Sequence, residues 1–270
     1  MPIEHVLGPV ALPVETAAPE GATNCYLVGE ADALLVDPAA RTDDLDEFVD
    51  GPFEVGHVAV THHHPDHVGA VEWVAERTGA TVWCRAGRER AFETATGVAP
   101  DRTFLEGTRV ETGSGTVTVL DVPGHAPEHV AFSFEYDGDN GDEWVVSGDL
   151  AVAEGSVVVG APEGDLRAYL TALRRLHARD PARLLPGHGP VVEAPRETLR
   201  RLVDHRLDRE ASVLAAVEAG ATSVSDVTDA AYEKDVSHVR PLAEATVHAH
   251  LEKLAVEGRL RFDGERATPR

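Results

Sequence analysis

Apolar positions in the first 190 residues come in short runs separated by turn residues. NCYLVGE (24–30) and ADALLVDP (31–38) predict two strands about a turn at 29–32, and HVAVT (57–61) predicts a brief third strand. In residues 66–79 the spacing changes to helical, with Val68, Val71, Val74 and Ala75 on one stripe, Asp66 near the start and Gly79 at the end. TVWC (81–84), TVTVLDVPG (116–124), HVAFSFEY (129–136) and EWVVSGD (143–149) read as further strands, the last two joined by the acidic turn 137–143. That turn has carboxylates but not the glycine and distal glutamate of a calcium loop, so it is expected to be a solvated hairpin. A helix carrying Leu166, Tyr169, Leu170, Leu173 and Leu176 follows, then a strand in ARLLPGHGP (182–190).

Beyond position 195 the pattern becomes helical. Residues 196–220 predict one long amphipathic helix or two, residues 222–233 and 240–258 two more, and RLRFDGERA (259–267) a hairpin turning at Asp263-Gly264. Three helices and a hairpin are the order of a winged helix-turn-helix. The expected architecture is α/β over residues 1–205 and a small winged-helix-like domain over 206–270.

Composition changes this picture in one respect. Formal net charge is -23 and only two of the 24 basic residues, Lys234 and Lys253, are lysines. An acidic, nearly lysine-free chain repels itself at low salt and is expected from a salt-loving source, where concentrated salt screens the repulsion. The charge is uneven: residues 196–270 hold 12 basic and 14 acidic side chains, leaving 12 and 33 for residues 1–195. No apolar run approaches the roughly 20 residues of a membrane span, the first twenty residues lack a basic start and long apolar stretch, and two distant cysteines do not make a disulfide scaffold. A cytoplasmic location without membrane contact is expected.

The chemistry is concentrated in VTHHHPDHVGA (60–70). In an extended segment alternate residues share a face, so His62 and His64 can address one centre while His63 points away; Asp66 and His67, opening a helix, can reach a second. Imidazole and carboxylate are the usual zinc donors. His125, His129, Asp149 and His188 each stand at the end or start of a later apolar strand, next to glycines and prolines that permit sharp exits, so a sheet could gather them at one edge.

HHHPDH, PGHAPEH, SGDL and PGHGP resemble, in order and spacing, the successive motifs of the metallo-β-lactamase superfamily over roughly residues 1–205. The resemblance implies an αββα sandwich with two zinc ions per chain, iron or manganese being the alternatives. By position, His62, His64 and His129 would hold the first ion, Asp66, His67 and His188 the second, and Asp149 would bridge both. His63 and His125 would stand outside the ligand set, His125 as a substrate contact or a loop-stabilising hydrogen bond.

PGHGPVV followed by an arginine-bearing helix with DHRLDRE and a winged helix resembles the subgroup of β-lactamase-like endoribonucleases, whose members cut single-stranded RNA. The expectation is a binuclear zinc hydrolase using a metal-bridging hydroxide, with Asp149 holding both ions and Asp66, His125 or water protonating the leaving group. A single-stranded RNA phosphodiester is the leading substrate; a thioester or ester, as in hydroxyacylglutathione hydrolase, is the alternative, and mononuclear iron sulfur dioxygenase chemistry the second. A residual metal site on a regulatory winged-helix protein is the non-enzymatic reading. Arg259, Arg261, Arg266 and Arg270 would make a basic wing for nucleic acid, or else a solvated hairpin or homodimer contact. The acidic body opposes the nucleic-acid reading, because phosphate binding draws its affinity from Lys and Arg.

Overall fold

The computed structural model describes residue 3, residues 5–139 and residues 141–270. The acidic turn expected at 137–143 therefore lies partly outside the described residues; 137–139 form a single 3₁₀ turn.

Two sheets stack face to face. The first has the order β1-β2-β3-β4-β5-β6 and the second β11-β10-β9-β8-β7. In the first sheet β1 (Val6–Pro13), β2 (Ala22–Val28) and β3 (Ala33–Val36) pair antiparallel, while β3, β4 (Val55–Ala59), β5 (Thr81–Arg85) and β6 (Arg102–Phe104) run parallel. In the second, β7 (Arg109–Thr112), β8 (Gly115–Asp121), β9 (Val130–Tyr136) and β10 (Asp142–Gly148) are antiparallel and β11 (Arg183–Pro186) adds parallel to β10.

Strand periodicity sorts the buried side chains into layers. On β2 and β3, Tyr26, Val28, Leu34 and Val36 face inward to meet Val119, Phe132, Val146 and Leu185 between the sheets. Their neighbours Leu27, Ala33 and Leu35 face outward, where α1 (Asp43–Val49), α3 (Val71–Thr78) and α4 (Glu89–Thr96) cover them with Leu45, Val71, Val74 and Phe92. The outer face of the second sheet is covered by α5 (Leu166–Arg179) and α6 (Pro195–Glu218) through Tyr169, Leu173, Leu199 and Leu202. Strands buried on both faces read as continuous apolar runs, which is why they were visible in the sequence.

The structure adds detail to three readings. The helix expected over 66–79 is two: α2 (Pro65–Val68) and α3, broken at Gly69. A Cβ at Gly69 would stand 2.4 Å from the Ala39 carbonyl oxygen, so the break lets the chain pass against the loop after β3. It also gives Asp66 and His67 their own helical turn, opened by Pro65 at the first position. The region 196–220 is one continuous helix of 24 residues, α6, and the expected domain boundary at 205/206 falls inside it. The elements β1, α1, α4, β6 and β7 were not anticipated.

The last third of the chain packs α7 (Val224–Ala231), α8 (Arg240–Val256) and the C-terminal half of α6 around Val213, Val217, Val227, Val247, Leu251 and Leu254, closed by the hairpin β12 (Leu260–Phe262) and β13 (Ala267–Pro269). No helix among the described residues is long and apolar enough to cross a membrane.

Candidate metal centre

The side chains singled out in the sequence meet at one rim of the sandwich. They leave from the C-terminal ends of strands: His62–His67 after β4, His125 and His129 between β8 and β9, Asp149 after β10 and His188 after β11. Parallel strands β4 and β11 deliver their exits to the same rim, the usual place for a site in α/β sheets.

The donor atoms of three groups converge: His62, His64 and His125; His62, His67 and Asp149; and Asp66, His67 and His188, each set lying within 4.8 Å of one another. Asp149 sits between the two halves. Its Oδ1 is 3.5 Å from His67 Nε2, and its Oδ2 is 3.4 Å from His188 Nε2 and 3.6 Å from His125 Nε2. Gly187 permits this approach, since a Cβ there would stand 2.5 Å from Asp149 Oδ1 and 2.8 Å from His67 Cε1.

The partners outside the centre fix which nitrogen of each ring faces in. His125 Nδ1 is 2.7 Å from the Val158 carbonyl and His188 Nδ1 is 2.8 Å from the Ala22 carbonyl, so both Nδ1 atoms carry the proton. His67 Nδ1 lies 3.0 Å from Asp37 Oδ2 and His64 Nε2 lies 3.1 Å from Glu163 Oε2, again acceptors. Thr61 Oγ1 donates to Asp37, leaving it to accept from His62 Nδ1 at 3.1 Å. In its neutral form each ring turns an unprotonated nitrogen inward. His64 Nδ1 lies 2.9 Å from His62 Nε2 and 3.0 Å from His125 Nε2. Lone pairs facing each other at that distance repel unless a cation or proton sits among them. His67 Nε2 and Asp149 Oδ1 are buried and have no hydrogen-bond partner among the described residues. A buried polar atom without a partner is costly, and a divalent cation satisfies both. The residues present therefore fit a pair of metal ions.

Without a cation the carboxylates draw protons onto one side of the centre, so its two halves differ in charge. Burial and neighbouring histidines push the pKa of His62 well below its usual value; burial does the same more mildly at His125. On the opposite side, burial opposes protonation of His67, but the carboxylates of Asp37 and Asp149 outweigh it and raise the pKa. At His188 burial is likewise outweighed by the bond to Asp149, and the pKa rises to about 9. Burial would raise Asp149, yet His67, His188 and His125 hold it far below the usual carboxylate range.

The geometry departs from the expectation at one position. His129 is buried at the rim, but its Nε2 accepts the backbone N–H of Asp149 at 3.0 Å. The proton is thereby left on Nδ1, so His129 offers no lone pair to the centre, and its place beside His62 and His64 is taken by His125, expected to stand outside the ligand set. His63 does point away, as expected, and pairs with Glu128 at 3.1 Å.

Asp37, not anticipated, orders the corner. Buried, with φ of 55°, it accepts from Thr61 N–H at 2.7 Å and Thr61 Oγ1 at 2.9 Å and faces His67 Nδ1. Its only trace in the sequence is a carboxylate closing the apolar run ALLVD. Asp37→Asn is expected to weaken metal affinity about 10- to 100-fold, since the partner that orients and polarises a ligating imidazole is worth that much; competition with a metallochromic chelator measures it, and unchanged affinity contradicts the role.

Comparison with known proteins agrees with the geometry. The family model described as the metallo-beta-lactamase superfamily matches residues 18–188, and the beta-lactamase associated winged helix domain matches residues 223–267. A beta-lactamase-like protein 2 homolog of Drosophila melanogaster is 27% identical over 257 residues, covering 88% of this chain and 84% of that protein. A hydroxyacylglutathione hydrolase of Methylococcus capsulatus is 38% identical over 109 residues, covering 40% and 41%. The crystal structure of a metallo-beta-lactamase family protein from Thermus thermophilus superposes with a TM-score of 0.77 at 23% identity, over 98% of both chains. The αββα sandwich, the converging His/Asp donors and the matched domains lead to one assignment: the chain belongs to the metallo-beta-lactamase superfamily and is a metallo-hydrolase carrying a C-terminal winged helix.

Proposed function

We propose that the chain hydrolyses a thioester, or an ester with an equally good leaving group, using two divalent cations. The observation that carries this reading is the wall of the cavity over the donor cluster. Of about 600 Å³, it is lined by alanine, valine and proline and by the carboxylates Glu20, Glu154 and Glu163, with neither lysine nor arginine among the described lining residues. A phosphodiester backbone needs cationic side chains along its path; an uncharged acyl group does not. This reverses the order of substrates that the sequence favoured.

The arginines that made RNA attractive are engaged elsewhere. Arg201 donates to the carbonyls of Val152, Ala153 and Gly155, and Arg206 is buried between the Val157 carbonyl and the Tyr169 ring. Arg209 lies 3.7 Å over the Tyr232 ring. In the hairpin, Arg266 donates to Thr222 and Arg270 to the Gly258 carbonyl. Helix α8, in the position of a groove-reading helix, buries Ala243, Thr246, Val247, Ala249, His250, Leu251, Lys253 and Leu254, and its less buried positions include Glu244 and Glu252. Arg259 and Arg261 on the hairpin are what still favours RNA.

In this reading His62, His64 and His125 would hold one ion and Asp66, His67 and His188 the other, with Asp149 available to both, zinc being the first candidate and iron or manganese the alternatives. When bound, such ions supply Lewis acidity and lower the pKa of water toward 7. The chain's own part is to present neutral imidazoles, keep Asp149 ionised and seat the carbonyl beside them. Water gives up one proton to solvent as its oxygen adds to the carbonyl carbon, the C–S bond breaks, and the sulfur departs with its electron pair, leaving a carboxylic acid and a thiolate. A thiol has a pKa of roughly 8.5, so its anion leaves near neutrality without the dedicated acid that an alkoxide requires. His125 and Asp66, both turned into the donor set, are not proton donors here; water serves a poorer leaving group.

Elemental analysis paired with an assay panel in molar KCl tests this. Two divalent ions per chain and turnover of S-lactoyl and other acyl thioesters are expected. Exhaustive chelation should lower turnover at least about 10³-fold, reversed by added metal. Cleavage of single-stranded RNA with no thioester turnover would overturn the reading in favour of the nuclease; one iron per chain with oxygen uptake would put a sulfur dioxygenase in its place.

A further inference from the structure

The same cavity extends away from the metal ligands toward the winged helix. Besides His64, His125 and Asp149 it is lined by Val152, Val157 and Val158 from the loop after β10, Pro19 and Pro190 from two other loops, and Leu242 from the first turn of α8. Leu242 is 38% exposed, a large apolar side chain left open beside apolar walls. The walls are held in place: Arg201 and Arg206 of α6 bind the carbonyls of residues 152, 153, 155 and 157, and the Ala161 N–H donates to the Ala245 carbonyl on α8 at 3.0 Å. Thus the winged-helix unit both braces this loop and contributes its own side chain to the cavity.

We infer that Leu242 and the valines facing it form a subsite for an uncharged aliphatic chain attached to the scissile carbonyl, and that the winged helix serves as a wall of the substrate pocket. The occupant follows from the surroundings. The one pocket is lined both by donors of the centre and by Leu242 and the valines, and its charged lining residues outside the donor set, Glu20, Glu154 and Glu163, are all anionic and disfavour a phosphate or carboxylate on that chain. The inference rests on the thioesterase reading above, from which it takes the carbonyl.

Its test is the dependence of kcat/KM on acyl length across acetyl, butanoyl, hexanoyl and octanoyl thioesters of one thiol, with metal-loaded full-length protein. Each added methylene is expected to raise kcat/KM about fourfold until the cavity is filled. Leu242→Asp should lower the octanoyl-to-butanoyl ratio about tenfold or more, Leu242→Trp should move the optimum to a shorter chain, and Val256→Asp, at the far end of α8 and 65% exposed, should leave the ratio as in wild type. Binding of butanoate, hexanoate and octanoate by calorimetry supplies a readout independent of turnover. If no thioester is hydrolysed but binding strengthens with chain length and Leu242→Asp abolishes that trend, the reaction assignment fails and the subsite stands. Equal length dependence in wild type, Leu242→Asp and Leu242→Trp, in turnover or in binding, overturns the subsite.

Discussion

Replacing Asp149 by alanine is expected to leave one metal ion or none per chain and to reduce kcat/KM by about three orders of magnitude or more. Among the described residues Asp149 is the one carboxylate that reaches both halves of the centre, with Oδ1 toward His67 and Oδ2 toward His188 and His125. It is buried and yet held as an anion, because the rings around it outweigh the burial that would protonate it. Without it the centre keeps inward-facing imidazole nitrogens and Asp66 but loses a negative charge that would offset the proposed cations in a site screened from water. Metal stabilisation of developing charge is worth several kcal/mol, and about 4 kcal/mol corresponds to roughly 10³ in rate. Asp149→Asn separates charge from shape: it fills the same space and is expected to lose nearly as much. Elemental analysis, circular dichroism and turnover on the same samples provide the check. A folded Asp149→Ala protein that retains two ions and wild-type turnover contradicts the bridging assignment.

Much of this was legible along the chain, for identifiable reasons. Strands buried on both faces leave unbroken apolar runs, as in β2, β3 and β9, and α5 keeps one clean apolar stripe. By contrast β1 is an edge strand with a cis Gly8-Pro9 bond and a register irregularity between Leu7 and Val10, and β6 and β7 are three and four residues long with exposed arginines. Such segments are strands only because a neighbour pairs with them. The histidines announced themselves by crowding, since nothing in packing rewards four of them in six positions. Asp37 did not: its partners Thr61 and His67 lie 24 and 30 residues away, and only the sheet brings them together. The arginines of α6 counted toward the resemblance to endoribonucleases because residue type alone cannot say that a guanidinium is spent on loop carbonyls, as those of Arg201 and Arg206 are. That is why the nucleic-acid reading looked stronger in the sequence than it does around the cavity.

The same reasoning separates His125 from His129, which PGHAPEH presents as near equals four residues apart. Alanine at 125 is expected to remove the ion held with His62 and His64 and to lower kcat/KM at least about 100-fold. Alanine at 129 is expected to leave metal content at the wild-type value and to lower stability by about 1–3 kcal/mol. The difference lies in where each ring spends its lone pair. His125 donates from Nδ1 to the Val158 carbonyl and turns Nε2 to the centre, 3.0 Å from His64 Nδ1; losing it leaves two imidazoles and a carboxylate shared with the other half of the centre, too few to hold the cation tightly. His129 already receives the Asp149 N–H on Nε2. Its removal strands that buried donor, at a cost of about 1–3 kcal/mol, and loosens the loop that carries Asp149 without subtracting a ligand. His129→Gln, whose side-chain carbonyl can accept the same N–H, should recover part of the lost stability, whereas His125→Gln should not restore the metal. Stoichiometry and thermal melting of the four variants, each loaded under identical metal activity, decide the matter. Two ions retained in His125→Ala, with one lost in His129→Ala, would return the third ligand to His129 and require the Asp149 amide to find another acceptor.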